Sequence, residues 1–191
     1  MKNMKGLLIG LVALLVVAGI FLIAPYNKLV TLEEEVDQQA AEIDNKLQRR
    51  ADLIPNLVGT VKGFTTHEEK VMSDIANARS KMAGASDMQE KLDANDELSG
   101  ALSRLLVVVE NYPELKSDKQ FQQLMDELAG TENRISVERG KYNEVVATYN
   151  KQMKRFPTNI AAKILGFEER PYFKADEKAG EAPTVDFGND Q

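Results

Sequence analysis

The chain has 191 residues, 43% of them hydrophobic and 28% charged, with no Cys, no Trp, a single His and a formal net charge of -6. The acidic balance argues against nonspecific nucleic-acid binding, which needs clustered cations to displace counterions from phosphate. Absent thiols exclude disulfides, thiolate catalysis and most zinc frameworks while leaving the redox compartment open.

The first element is the run GLLIGLVALLVVAGIFLIA, residues 6–24, uncharged and mostly aliphatic throughout. At a rise of about 1.5 Å per residue it matches the hydrocarbon thickness of a bilayer, and it predicts an uncleaved transmembrane anchor over residues 6–25 behind a short basic N-terminus, residues 1–5. A cleaved secretory signal is the alternative. It has a shorter apolar core and a small-x-small exit, whereas Phe21, Leu22 and Ile23 crowd the exit here and no lipobox cysteine follows. Lys2 and Lys5 precede the run, while Lys28 after it is outweighed by Glu33, Glu34, Glu35, Asp37 and Glu42. That asymmetry favours a single-pass protein of the cell membrane with its N-terminus in the cytoplasm and its bundle on the periplasmic or extracellular side. Lys151, Lys154, Arg155 and Lys163, if they return to the membrane face, weaken the asymmetry and keep the cytoplasmic side as the alternative.

From Tyr26 to Pro157 the pattern is that of a helical bundle. Leu29, Val36, Ile43, Leu57 and Phe64 fall in one seven-residue column, with Ala40, Leu47, Ile54 and Val61 in the next, the stripe of a bundle helix. Arg50 falls in the first column. Pro55 lies inside the pattern, where a missing donor predicts a kink rather than a stop. Gly63 closes the helix, and TTHEE opens another, with Thr66 as N-cap and Glu69 as its capping-box partner. Val71, Met72, Ile75, Ala78 and Met82 mark this short second helix, and AGASD is a turn by composition.

A third helix is expected over about residues 88–111, with Leu98, Leu102, Leu105 and Val109 on one face. Val107, Val108 and Val109 suit a strand by propensity, but no second strand exists to pair with them. NYPELKSDKQ breaks the helix at Pro113, and Ser117 with Gln120 forms the next capping box. In the last long helix Phe121, Leu128, Ile135, Tyr142, Tyr149 and Phe156 recur every seven residues, beside a weaker column of Leu124, Thr131, Glu138, Val145 and Gln152. Pro157 ends it.

The predicted fold is therefore all-α, an antiparallel four-helix bundle of two long and two shorter helices on an N-terminal transmembrane helix. Equal rise per residue pairs positions whose numbers sum to about 185, so Leu29 meets Phe156, Phe64 meets Phe121 and Arg50 lies level with Ile135. An arginine on an apolar seam is costly unless paired and hydrogen-bonded. Arg50, together with Arg49, is therefore expected to bond Glu132 or Glu138, with Asp52 in the same structural network. Residues 158–167, with Ile160, Ile164, Leu165 and Phe167, form a short amphipathic helix that either lies on lipid or packs under the bundle. Residues 168–191 read as a polar, largely disordered tail.

No constellation carries catalysis. HEEKV at His67 lacks the second histidine of a zinc-protease helix, because position 71 is Val71. A di-carboxylate metal bundle needs Glu-x-x-His on two helices, which one histidine cannot supply. Gly59 and Gly63 have neither the preceding strand nor the following Gly-Lys-Ser/Thr of a phosphate loop. A noncatalytic protein without cofactor or metal is expected.

The stretches YNKLV, LQRRADLIPNLVGTVKGFTTHE, VVVENYPELKSDKQFQQLMDELAGTENRISVERGKYNEVV, and FP followed by IAAKILGF resemble the LemA family of bacterial membrane-anchored proteins. The resemblance covers nearly the whole chain after the anchor and implies a four-helix bundle on a transmembrane helix, with no established activity. A tryptophan common in the family, ten residues ahead of the second arginine of the pair, is Ala40 here; the smaller side chain implies a larger partner or closer helices. The expectation is an adaptor or scaffold of the bacterial cell envelope, touching lipid through residues 6–25 and an unidentified envelope or membrane protein through its bundle, in an oligomeric state the sequence leaves open. The alternative is a regulator of a membrane protease or envelope stress system, contacted at the far end around residues 63–67 and 112–116. An interior acid-base enzyme requires a cavity lined by Arg50, Glu132 and Glu138.

Overall fold

The computed structural model describes residues 2–65 and 68–173, with the side chains of residues 2–7, 9, 11, 13–18 and 20–22 outside the description. All six elements among the described residues are helices: α1 (Lys2–Lys62), α2 (Glu69–Gly84), α3 (Met88–Val109), α4 (Pro113–Ser117), α5 (Lys119–Lys154) and α6 (Thr158–Leu165). α1 carries residues 6–24 and the first bundle helix in one unbroken run, with Pro25 and Pro55 both inside it. Most side chains of the expected anchor lie outside the described residues, and among those described no helix is long and apolar enough to cross a membrane.

α1 and α5 form the longest pairing. They run antiparallel, since Gln39 bonds Glu138 whereas Arg50, farther along α1, bonds Glu132. α2 and α3 make an antiparallel hairpin, held on its outer face by Lys81 to Glu97 and Arg104 to Asp74. This hairpin lies on α1, where Lys91 reaches Asp44 and Arg50 reaches Asn95. The seams predicted from spacing supply the shared core: Leu29, Val36, Ile43, Leu47, Ile54, Leu57 and Val61 from α1, and Phe121, Leu128, Ile135, Tyr142 and Tyr149 from α5, are all buried. Burying such side chains, at about 1.5–3 kcal/mol each, is what holds helices together that propensity alone would not.

Both columns fail at their ends. Phe64 is 39% exposed and Phe156 77% exposed, because α1 stops at Lys62 and α5 at Lys154. Beyond those points the chain leaves helical phase: Gly63 N–H turns back to the Thr60 carbonyl at 3.1 Å, and Arg155 is extended. The pairings of Leu29 with Phe156 and of Phe64 with Phe121 thus lose one member each.

The caps also differ from the expected frames. α5 is capped by Asp118, which accepts the Phe121 N–H at 2.8 Å, while the Ser117 hydroxyl donates to the Glu114 carbonyl at 3.1 Å. The Ser117–Gln120 box fails because Ser117 closes α4, a five-residue helix with Pro113 in its first turn that spacing did not anticipate. At α2 the cap position belongs to Glu68, without a side-chain cap bond, and Glu69 is the first helical residue, so it cannot act as the third-position partner of a box. Thr66 lies outside the described residues. Asp87 caps α3 through the Glu90 N–H at 2.8 Å, and the Glu90 carboxylate reaches back to the Ser86 N–H, also at 2.8 Å.

α6 packs a small-residue face, Thr158, Ala161 and Ala162, against α1 and α5, and it ends at Gly166 in the left-handed region that favours glycine. Its large side chains point away: Ile160, Ile164 and Leu165 are exposed. Phe167 meets the Tyr26 ring edge-on at 6.0 Å, next to the residues that follow the apolar run. Residues 168–173, expected to begin a disordered tail, instead return along α5 and hydrogen-bond to it from Tyr149 to Tyr142; the remainder of the expected tail lies outside the described residues.

The buried polar network as candidate functional site

α1 must bury the face carrying Leu47, Ile54 and Leu57, and Arg50 is carried in with them to 3% exposure. Desolvating a guanidinium costs several kcal/mol unless partners replace the lost water. Here they come from two helices. Arg50 Nη1 donates to Glu132 Oε2 on α5, to Asn95 Oδ1 on α3 and to Ser99 Oγ at 3.0 Å. Asn95 Nδ2 donates in turn to Glu132 Oε2 at 3.1 Å, so the fully buried amide orients the carboxylate while its own oxygen takes the guanidinium. Burial pushes the Arg50 pKa down, and Glu132 and Asp96 oppose that fall. An arginine starts high enough to stay charged. Its Nε is buried without a partner among the described residues, the one imperfection of the cluster.

The other predicted members go elsewhere. Arg49 is 61% exposed and pairs with Glu127, whose hydrogen bond and charge raise the guanidinium pKa. Asp52 accepts from Gln48 Nε2 at 2.9 Å, one turn back on the same helix. Glu138 sits apart from Arg50, accepting from Gln39 Nε2 at 2.7 Å and Lys141 Nζ at 3.0 Å. The Lys141 bond, then that of Gln39, holds the Glu138 carboxyl below the usual range against the opposing effect of burial. The expected network thus divides into a centre around the buried Arg50, with a half-buried Glu132, and separate pairs at Arg49, Asp52 and Glu138.

Asn95 and Ser99 were missed, although a signal existed. Asn95 lies seven residues after Met88 and seven before Leu102, a polar residue in an apolar column just as Arg50 is. A second omission concerns Pro55. Lacking an N–H, it leaves the Ala51 carbonyl without its helical donor. Arg79 of α2 supplies the replacement, donating from Nε to the Ala51 oxygen at 3.1 Å. The proline therefore creates an acceptor on α1 that the hairpin uses as a docking point.

Because the Glu132 carboxylate accepts from both Arg50 and Asn95, the cluster ties α1, α3 and α5 together. A surface groove of about 600 Å³ lies apart from it, between α2 and α3. Its charged walls, Asp74 with Arg104 and Lys81 with Glu97, pair with one another.

Comparison with known proteins places the same residues in a wider context. The chain is 28% identical to magnetosome protein MamQ 2 of Paramagnetospirillum magneticum over 86% of its own length and 70% of that protein. It is 27% identical to magnetosome protein MamQ of Magnetospirillum gryphiswaldense over the same shares. Protein LemA of Metamycoplasma hominis is 24% identical over 79% of this chain and 69% of that protein. The model of the LemA family matches residues 39–187, which contain Arg50, Pro55, Asn95 and Glu132, and with that span of match the chain belongs to the LemA family.

Proposed function

We propose that this protein is a noncatalytic bundle tethered to the bacterial cell membrane by residues 6–25, acting as an adaptor or scaffold for an envelope or membrane protein. The observation that carries the reading is the foot of the bundle. Where α1 emerges from its apolar run, α6 exposes Ile160, Ile164 and Leu165, and Phe156 stands 77% exposed beside them. Lys151, Arg155 and Lys163 are exposed on the same stretch of chain, and Lys154 pairs there with Glu169 at 2.9 Å. Apolar side chains accompanied by cations suit the headgroup boundary of an anionic bilayer. Both expected roles of residues 158–167 are then met by one helix: alanines hold the bundle and large aliphatics meet lipid.

The polar interior supports a holding role over a chemical one. Arg50, Asn95 and Glu132 join three helices, and a rigid bundle on a tether presents its far end, with Phe64 exposed and the Tyr112 hydroxyl on Glu68 at 3.0 Å, to a partner away from lipid. The lysine asymmetry about residues 6–24 favours the periplasmic or extracellular side for that end. Proximity labelling from a C-terminal fusion, with reporters active on only one side of the membrane, tests place and partner together. Labelling outside the cytoplasm with a reproducible membrane-protein neighbour is the expected result. Labelling confined to the cytoplasm overturns the placement, and recovery of no protein neighbour overturns the adaptor role.

A further inference from the structure

The helix segment KYNEVVATYN repeats the pair Tyr-Asn at a spacing of seven, as Tyr142-Asn143 and Tyr149-Asn150. Residues so spaced lie on one face, two turns or about 10 Å apart. An extended chain covers the same distance in three residues. The segment 168–173 uses that match. Asn150 donates from Nδ2 to the Arg170 carbonyl at 2.8 Å and accepts the Arg170 N–H at 3.0 Å. Three residues on, Asn143 does the same to Phe173, at 2.9 Å in both directions. The Tyr149 hydroxyl donates to the Glu168 carbonyl at 3.0 Å and that of Tyr142 to the Pro171 carbonyl at 3.4 Å. Burial pushes both phenols' pKa values up, so they remain donors at neutral pH.

These contacts read main chain, which any peptide offers. Besides the exposed Glu169–Lys154 pair at 2.9 Å, which contributes little, specificity comes from two side chains. The Arg170 guanidinium lies 3.0 Å from Glu33 and 3.3 Å from Asp37 of α1, and the Phe173 ring packs on Tyr142 with centroids 4.3 Å apart. Pro171 between them has no N–H to leave unpaired and favours an extended backbone. A segment that served only as a brace could be held by apolar packing; paired amide bonds to a ladder of asparagines form a recognition surface of the kind that takes extended peptides.

We propose that the groove between α1 and α5, built from Asn143, Asn150, Tyr142, Tyr149, Glu33 and Asp37, is a binding site for extended peptides bearing an arginine and an aromatic residue three positions later, and that residues 168–173 fill it as a tethered, displaceable ligand. The tether gives the internal segment an effective concentration of order millimolar, so a free peptide competes poorly until the segment is weakened.

The test uses the full-length chain in detergent micelles and the fluorescent peptide EERPYF, the sequence of residues 168–173. The variant R170A/F173A disarms the internal ligand and leaves the groove intact; it binds the peptide at least ~10-fold more tightly than the unaltered chain does. Adding N143A and N150A abolishes that gain, and a peptide with alanine for arginine loses most of its affinity. Should R170A/F173A prove unfolded by circular dichroism, a protease site inserted after Phe167 replaces it. The cut C-terminal piece then stays bound through gel filtration and leaves when excess EERPYF is added. Failure of the folded R170A/F173A chain to bind the peptide, or failure of EERPYF to release the cut piece, overturns the proposal and leaves a brace. Equal binding of the arginine-free peptide overturns the specificity assigned to Glu33 and Asp37.

Discussion

Arg50 is the residue on which most of the molecule's polar interior turns. It is buried to 3% exposure among Glu132, Asn95 and Ser99, so truncation strands a carboxylate and a fully buried amide together. Arg50→Ala is expected to destabilise the fold by about 1–3 kcal/mol, read as a lower denaturation midpoint in urea. The triple change Arg50→Met, Asn95→Leu, Glu132→Leu removes the charged and amide parties, leaves Ser99 bonded to the backbone carbonyl of position 95, and should recover most of that loss, because a well-packed apolar cluster needs no compensation for desolvation. If the network's task is alignment, the triple variant stays stable but gives broadened amide resonances. Part of this cluster was legible beforehand: polar interruptions of two apolar seams, at similar heights, pointed from Arg50 to Glu132 or Glu138 without choosing between them, and Arg50 bonds Glu132. Asn95 was not, since a single amide in the α3 column has no charge whose pairing must be explained. Glu138 belongs to a different balance. Its carboxyl is held below the usual range by Lys141 and Gln39, and a depressed acid contributes stability that is complete above its unfolded pKa and lost as pH falls through the folded value. The thermal midpoint should therefore decline below about pH 4.3, and Glu138→Gln should flatten that decline by losing the carboxylate's contribution at neutral pH while changing little in acid.

At the scale of helices, periodicity located the long elements but not their ends. Interior phase is set by which side chains must be buried, and seven-residue spacing reports it through Tyr149 on α5; the ends depend on a single donor or acceptor, which spacing cannot weigh. Asp118 illustrates this. It accepts the Phe121 N–H, one residue beyond the Gln120 N–H that a Ser117 cap would have served. Asp118→Ala should cost about 1 kcal/mol and Ser117→Ala a few tenths, a difference resolvable in paired melting curves. Pro55 exposes a second limit of spacing. A proline within a helical pattern announces an orphan carbonyl four residues back, yet the donor that satisfies it arrives from α2, 28 residues on, and no local pattern names it. Since Arg79 and the missing N–H serve the same oxygen, their effects must couple. Arg79→Ala should cost about 1–3 kcal/mol beside Pro55, and clearly less in a Pro55→Ala background where the backbone N–H returns to Ala51. Additive losses in that double-mutant cycle would mean the Arg79 bond contributes nothing through the freed carbonyl.

Over the whole molecule, the antiparallel α1–α5 pair is continuous from the far end to the foot, and α6 and residues 168–173 both add to it. The α2–α3 hairpin is held differently. α2 buries only Met72, Ile75, Ala78 and Met82, and the hairpin's polar ties to the rest include Arg79 on Ala51, Lys91 on Asp44, and Asn95 with Ser99 on Arg50. Such a unit has fewer buried contacts to break than the long pair and should open before it. The all-helical architecture followed from the sequence because hydrophobic period alone decides it, whereas this ranking depends on which helix satisfies which polar group across the core. Native-state hydrogen exchange measures it directly. Amides of α2 and α3 are expected to exchange through a partial opening that leaves α1 and α5 protected, and Arg50→Ala should lower protection in the hairpin, where Asn95 and Ser99 lose their tie. In α5 it should do so only as far as global stability falls. Uniform loss across all four helices would instead make the bundle a single cooperative unit, with Arg50 acting on the whole rather than on the seam where the hairpin docks.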